Sequence, residues 1–315
     1  MFPEIQPYNT GMLKVCPRHE IYFEECGNPN GYPILFLHGG PGAGCDAKDR
    51  RYFDPAKWRI ILFDQRGSGR SKPFGETKEN STWALCADIR KLLEHLGITR
   101  VVLFGGSWGS TLALVFAVQE TQMVSGMVLR GIFLGEEEEI KNLWNGSTGH
   151  YFPEAWIRFA SMVPPKHRRS PAEYYYEQLM SKDATIRKKF AYEWSRYEMA
   201  LLHLEPEPDE EIDKEMAEFS FESMAIMEAH YLYKNQAFLE NKYIIKNANC
   251  LSNIPTTIIQ GRYDVVCPPV SAYRLAKVIK GSELHIVIAG HSSSDPEIRK
   301  KLVSQTEAMY EKVAK

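Results

Sequence analysis

Three short apolar runs constrain this chain most: residues 33–38 (Pro-Ile-Leu-Phe-Leu-His), 59–64 (Arg-Ile-Ile-Leu-Phe-Asp) and 100–104 (Arg-Val-Val-Leu-Phe). Each leads into a glycine-containing turn, and none alternates apolar with polar residues. Runs of that kind suit parallel strands buried on both faces. Between the second and third, residues 82–96 read as an amphipathic helix with Ala84, Leu85, Ile89, Leu92, Leu93 and Leu96 on one side, stopped by Gly97. Residues 21–26 alternate like a half-exposed strand, the β pattern continues at 124–130, and it returns at 256–260 and 284–289 before a closing helix over about 295–314. This rhythm predicts an α/β fold with a mostly parallel central sheet flanked by helices.

The rhythm is interrupted between about 135 and 249, where the pattern is helical. The reading divides the chain into an α/β unit, 1–134 plus 250–315, and an inserted helical cap, 135–249. The insert holds 21 Asp+Glu against 14 Lys+Arg, a net of −7, which leaves +5 for the remainder of a chain whose total is −2. It also holds 18 of the 37 aromatic residues. An acidic, aromatic-rich insert suits a lid over a site, although a plain helical subdomain with a solvated charged face has the same composition. Residues 205–211 (Glu-Pro-Glu-Pro-Asp-Glu-Glu) are expected to be a solvated loop between helices.

A chain of 315 residues buries enough surface to fold without disulfide or metal staples. A net charge of −2 offers no electrostatic basis for binding nucleic acid or an anionic membrane. No stretch approaches the ~20 apolar residues of a membrane span, and the N-terminus lacks the pattern of a signal peptide. The cysteines at 16, 26, 45, 86, 250 and 267 form no Cys-x-x-Cys pair or zinc-like spacing. The expectation is a cytoplasmic protein with reduced thiols, no metal and no obligate partner.

The chemistry is concentrated in a few turns. Phe104-Gly-Gly-Ser107-Trp-Gly-Ser110 lies directly after an expected strand and before the apolar segment 111–118. This is Gly-x-Ser-x-Gly in its strand–turn–helix context, which projects a serine hydroxyl from a strained turn. Ser107 is therefore the candidate nucleophile. A serine nucleophile requires a base, and the base an orienting acid. Asp264 follows the strand at 256–260 and His291 follows the strand at 284–289, so both fall on the same sheet edge as Ser107. His285 is expected inside a strand, and His203 and His230 inside helices of the insert. The glycines of His38-Gly-Gly40-Pro-Gly42 can turn backbone N–H groups toward Ser107, which makes Gly40 and Trp108 the expected oxyanion donors. Asp64-Gln-Arg-Gly-Ser-Gly-Arg-Ser71 reads as an ion-pair network bracing the loops, with Asp64 as the triad acid the alternative against the chain order.

In the insert, a helix over roughly 184–203 carries an apolar stripe of Ile186, Phe190, Trp194, Tyr197 and Leu201, with Glu198 inside it. A second helix near 218–239 has Phe221, Met224, Ala225, Tyr231 and Leu232 on its apolar side, with Glu228 among them. A carboxylate on an apolar stripe needs a partner. Either a nearby Arg or Lys supplies it, or both glutamates face the cleft and hold a ligand cation.

Together His-Gly-Gly-Pro-Gly, Asp-Gln-Arg-Gly-x-Gly-Arg-Ser, Gly-Gly-Ser-Trp-Gly-Ser, Gly-Arg-Tyr-Asp and Gly-His-Ser resemble the prolyl aminopeptidases (proline iminopeptidases) of the α/β-hydrolase fold, from near residue 8 to beyond 300. The resemblance implies a serine aminopeptidase that removes N-terminal proline from peptides without a cofactor. It implies Ser107, Asp264 and His291 as the triad, Glu198 and Glu228 as the grip on the substrate's free amino terminus, and Phe133 as a proline-pocket aromatic. Tyr197 stands where that family usually has tryptophan and Leu232 where it commonly has phenylalanine, which leaves room for another small N-terminal residue. An esterase or carbon–carbon bond hydrolase on the same scaffold is the alternative, and it gives the two glutamates no purpose.

Overall fold

The unbroken apolar runs form the middle of a single sheet in the computed structural model, which describes residues 1–218 and 220–314. The eight strands are β1 (Asn9–Lys14), β2 (Glu20–Gly27), β3 (Tyr32–Leu37), β4 (Trp58–Phe63), β5 (Val101–Ser107), β6 (Val124–Ile132), β7 (Thr256–Gly261) and β8 (Glu283–Val287). Their spatial order is β1-β2-β4-β3-β5-β6-β7-β8. Only β2 pairs antiparallel with its neighbours β1 and β4; every other pairing is parallel. Strand β1 has no counterpart in the sequence reading. It is an edge strand of mostly exposed residues, Asn-Thr-Gly-Met-Leu-Lys, whose apolar content is too low to mark it.

Helices cover both faces. On one side lie α1 (Thr82–His95) and α2 (Trp108–Gln119). Helix α1 starts where the Ser81 side chain accepts a hydrogen bond from the Ala84 N–H, and its buried positions include Leu85, Ile89, Leu92 and Leu93. Helix α2 is buried from Trp108 to Ala117, packed against β5, β6 and α1. The helices of the insert include α3 (Glu137–Trp144), α4 (Pro153–Ser161), α5 (Pro171–Leu179), α6 (Ala184–Met199), α7 (Asp209–Glu218) and α8 (Phe221–Glu228). After α9 (Tyr243–Asn247) and β7 come α10 (Pro269–Val278) and the closing α11 (Pro296–Val313). Ile298, Leu302 and Met309 of α11 pack on the opposite sheet face with Phe53, Trp58 and Phe104.

Three expectations about the insert need correction. The helix expected to 203 ends at Met199, because the chain turns there and presents the Leu202 carbonyl to the N–H groups of His291 and Ser292, at 2.7 and 2.9 Å. His203 therefore lies past the helix rather than inside it. The helix expected near 218–239 is regular only over Phe221–Glu228; Phe219 lies outside the described residues. The chain then widens into a π-turn, Ala229–Lys234, in which His230 Nε2 meets the Asn80 carbonyl at 2.9 Å and the Tyr231 hydroxyl donates to Asn80 Oδ1. Finally, Asp209, Glu210 and Glu211 are the first turn of α7 and not loop, since carboxylates there complement the positive end of the helix dipole.

The segment 64–71 braces the loops at the sheet edge. Asp64 accepts from the N–H groups of Cys45 and Arg70, both at 2.8 Å, and from the Arg70 guanidinium at 2.7 and 3.1 Å. Burial acts to raise its pKa, but the Arg70 hydrogen bonds and neighbouring positive charge together hold the carboxyl below its ordinary value. Arg66 makes a two-pronged pair with Asp88 of α1 at 2.6 and 2.7 Å, both side chains buried. Removing one partner strands a buried charge, at a cost of about 3–5 kcal/mol. Asp88→Ala is accordingly expected to lower the unfolding free energy by about that amount in urea denaturation. A loss below about 1 kcal/mol would show that the pair does not brace this loop.

Candidate active site

Ser107 ends β5 with φ 56° and ψ −129°, a left-handed conformation unfavourable for any residue with a side chain. The reason for the flanking glycines is steric. A Cβ on Gly105 would collide with the Gly109 carbonyl, and one on Gly109 with the Leu37 carbonyl of β3. The turn is held from behind by Ser110 Oγ, which donates to the Ser107 carbonyl at 2.7 Å.

The loop after β3 is locked to this turn. Gln65 donates its N–H to His38 Nε2 at 3.0 Å and its amide to the His38 carbonyl at 2.9 Å. Its Oε1 accepts from Trp108 Nε1 at 2.9 Å. Burial lowers the pKa of His38 and keeps the ring neutral, as an accepting Nε2 requires. Gly39 lies so close that a Cβ there would be 3.6 Å from the Ser107 Cβ. Gly40 follows with φ 99°, open to glycine and strained for other residues.

Asp264 and His291 meet across the ends of β7 and β8. His291 Nδ1 is 2.8 Å from Asp264 Oδ2, which also accepts from Gln260 Nε2 at 3.1 Å. The other oxygen, Oδ1, accepts from the N–H groups of Val266 and Cys267 at 3.1 and 2.7 Å. An acid fixed by three other donors directs the His291 Nδ1 proton toward itself and leaves Nε2 as the basic nitrogen. Gly131 backs the pair: a Cβ there would lie 3.0 Å from His291 Cε1 and 3.5 Å from Asp264 Oδ2. The other three histidines singled out lie elsewhere: His285 in β8, His230 against Asn80, and His203 against Asp295 at 3.0 Å.

Sequence reasoning did not find Arg130, whose Nη1 lies 3.2 Å from His291 Nε2 and donates to the His291 carbonyl at 2.8 Å. Its guanidinium also fills the space beside Gly106. Nothing in the local pattern of β6 signals that role.

Ser107, Gly40, Phe133, Glu198 and Glu228 line one cavity of about 20 Å³, together with Glu139, Leu143, Trp144 and Leu232. Glu228 is fully buried: its Oε2 accepts from Trp194 Nε1 at 2.7 Å, while Oε1 has no partner among the described residues. Burial first, and the neighbouring Glu198 second, push its pKa well above the usual carboxylate range. No Arg or Lys lines this cavity among the described residues. Glu139, absent from the sequence reading because it sits in a run of four glutamates, is also held above its usual pKa by burial, against hydrogen bonds from Ser271 and the Leu134 and Glu136 N–H groups.

Residues 32–297 match the alpha/beta hydrolase fold family, and the chain is an α/β-hydrolase. It is 43% identical over 308 residues to a proline iminopeptidase of Xanthomonas citri, with 98% of each chain covered. It is 42% identical over 311 residues to a proline iminopeptidase of Arabidopsis thaliana, covering 98% of this chain and 82% of that one. The crystal structure of a proline iminopeptidase from Mycobacterium smegmatis shares the fold, with a TM-score of 0.63 at 16% identity over 97% of this chain and 99% of that one. The chain belongs to the proline iminopeptidase family.

The raised pKa of Glu228 has a consequence for stability. A carboxyl whose pKa is higher folded than unfolded favours folding while it is protonated, and that contribution is lost as pH rises through the folded value. Glu228→Gln keeps an acceptor for Trp194 and removes the ionisation. It is expected to raise Tm at pH 8 by at least about 2 °C and to leave Tm at pH 4 nearly unchanged. An equal or lower Tm at pH 8 in scanning calorimetry would show that Glu228 is not desolvated.

Proposed function

We propose that Ser107, His291 and Asp264 are the nucleophile, base and orienting acid of a serine aminopeptidase acting on N-terminal proline. In this reading 135–249 is the lid that holds the substrate's amino terminus, and 1–134 with 250–315 is the catalytic domain. The observation that carries the reading is the pair of buried carboxylates, Glu198 and Glu228, in the cavity of the serine, with Glu228 Oε1 unpartnered among the described residues. An esterase has no use for such a pair. A protonated N-terminal proline has two N–H groups on its ring nitrogen, one for each carboxylate.

In this reading His291 Nε2, which lies 3.2 Å from Arg130 Nη1, turns to the Ser107 hydroxyl for the reaction. Ser107 Oγ attacks the proline carbonyl carbon while His291 Nε2 accepts the hydroxyl proton. The oxyanion is held by the backbone N–H groups of Trp108, at the start of α2, and of Gly40. His291 returns the proton to the leaving amine, the peptide departs, and prolyl-Ser107 remains as an ester. Water then attacks that ester with His291 again as base, releasing proline. A cavity of about 20 Å³ has room for roughly one water. The ring therefore enters as Leu143, Trp144 and Leu232 move outward, and Phe133 takes its face.

No helix among the described residues is long and apolar enough to cross a membrane. A cytoplasmic location belongs to the same proposal, supported by six free cysteines that suit a reducing compartment.

Ser107→Ala should lose fluorophosphonate labelling and at least ~10³-fold in turnover of proline 2-naphthylamide. Persistent labelling would remove Ser107 as nucleophile. Acetyl-proline amides should go essentially uncleaved, because a capped amine leaves two desolvated carboxylates unpaired. Glu198→Gln and Glu228→Gln should each lower kcat/KM for proline amides about tenfold or more, while hydrolysis of p-nitrophenyl acetate survives much better. Equal cleavage of free and acetylated substrates would remove Glu198 and Glu228 as the grip on the amino terminus.

A further inference from the structure

Beside the proline cavity lies a much larger one, of about 660 Å³, that the steps above do not use. Its walls come from both sides of the cleft: Thr148, Tyr151 and His203 from the insert, and Arg262, Tyr263 and Asp264 from the loop after β7. Asp264 belongs to this cavity, and Val266 and Cys267, two and three residues on, line the cavity of Ser107. The two spaces therefore flank one short loop. A peptide whose first residue occupies the smaller space must send its remaining residues out of it, and the larger space is the room next door. Its volume falls in the range of about 300–1,000 Å³ that encloses small ligands, far below what a folded protein's surface needs.

Its lining has a matching chemistry. Tyr151 and Tyr263 are 74% and 60% exposed, large rings left open to solvent at the rim. Arg262 is exposed, its backbone N–H is fixed to the Val287 carbonyl at 2.8 Å, and its guanidinium makes no ion pair or hydrogen bond with the described residues. Asp264, the acid in the cavity wall, is held by His291, Gln260 and the N–H groups of Val266 and Cys267, and Asp295 and Glu207 lie 3.0 and 3.5 Å from the two ring nitrogens of His203. An unpaired guanidinium in a cavity wall is built to take a carboxylate in two parallel hydrogen bonds.

We propose that this cavity receives the leaving part of the substrate and that Arg262 binds its terminal carboxylate, so that the chain acts on short peptides ending in a free carboxylate. The proposal rests on the aminopeptidase reading and names the substrate class of that site. The rings of Tyr151 and Tyr263 then cover the side chains that follow proline.

The test compares Pro-Ala-Phe with its C-terminal amide, which differ only in the charge that Arg262 would meet. Wild-type kcat/KM is expected to favour the acid by five-fold or more, mainly through KM, and the ratio should fall as ionic strength rises. In Arg262→Gln the acid-to-amide ratio should collapse to near one, and Arg262→Lys should restore part of it. Circular dichroism and Tm establish that each variant is folded. A wild-type ratio near one, or an unchanged ratio in Arg262→Gln, would overturn the proposal while cleavage of proline 2-naphthylamide by the wild type kept the aminopeptidase reading intact. Failure of the wild type to cleave that naphthylamide would sink the reading and the proposal with it.

Discussion

The backbone at Ser107 is held in a conformation it would not choose, and most of the surrounding structure serves to hold it. A non-glycine residue at φ 56° costs on the order of 1–3 kcal/mol and persists only when its neighbours leave no alternative. Here the neighbours are the β3 carbonyls, packed against Gly109, and a helix that begins at the next residue. Both depend on parallel strands buried on either face, since only there does a strand end so close beside another with a helix starting above it. The position of the hydroxyl is a by-product of the sheet.

The same edge supports the insert, and the two are joined through backbone as much as side chains. Ser223 Oγ donates to the Gly42 carbonyl at 2.7 Å, so the helix that carries Glu228 is fastened to the loop that carries Gly40. At the far end of α6, the Leu202 carbonyl holds the His291 loop. A Cβ on Gly290 would strike that stretch of the insert at 2.7 Å. Glu198 and Glu228 are thus positioned by connections to the same loops that carry Gly40 and His291.

Against this frame, the buried carboxylate of Glu228 works against folding. The hydrogen bond from Trp194 does not offset full burial beside Glu198. Keeping such a group buried costs stability. The contrast with Asp64 is instructive. It is as buried, but two N–H groups and an arginine satisfy it, and its pKa falls instead of rising.

The amino-acid sequence by itself determined the sheet's buried strands, the elbow at Ser107 and the strand ends that carry Asp264 and His291. These are written in local patterns of apolar runs and glycines, and sterics act within a few residues. It did not reveal β1, whose edge position removes the apolar signal, nor the true ends of the two helices bearing the glutamates. Those ends are set by Leu202 reaching His291 and by His230 and Tyr231 reaching Asn80, contacts that span some 90 and 150 residues. Arg130 was invisible for the same reason, since its contact with His291 lies 161 residues away. Only the tertiary structure decided that Glu228 lacks a basic partner among the described residues, because burial and pairing belong to whatever packs around a side chain and not to its neighbours in sequence.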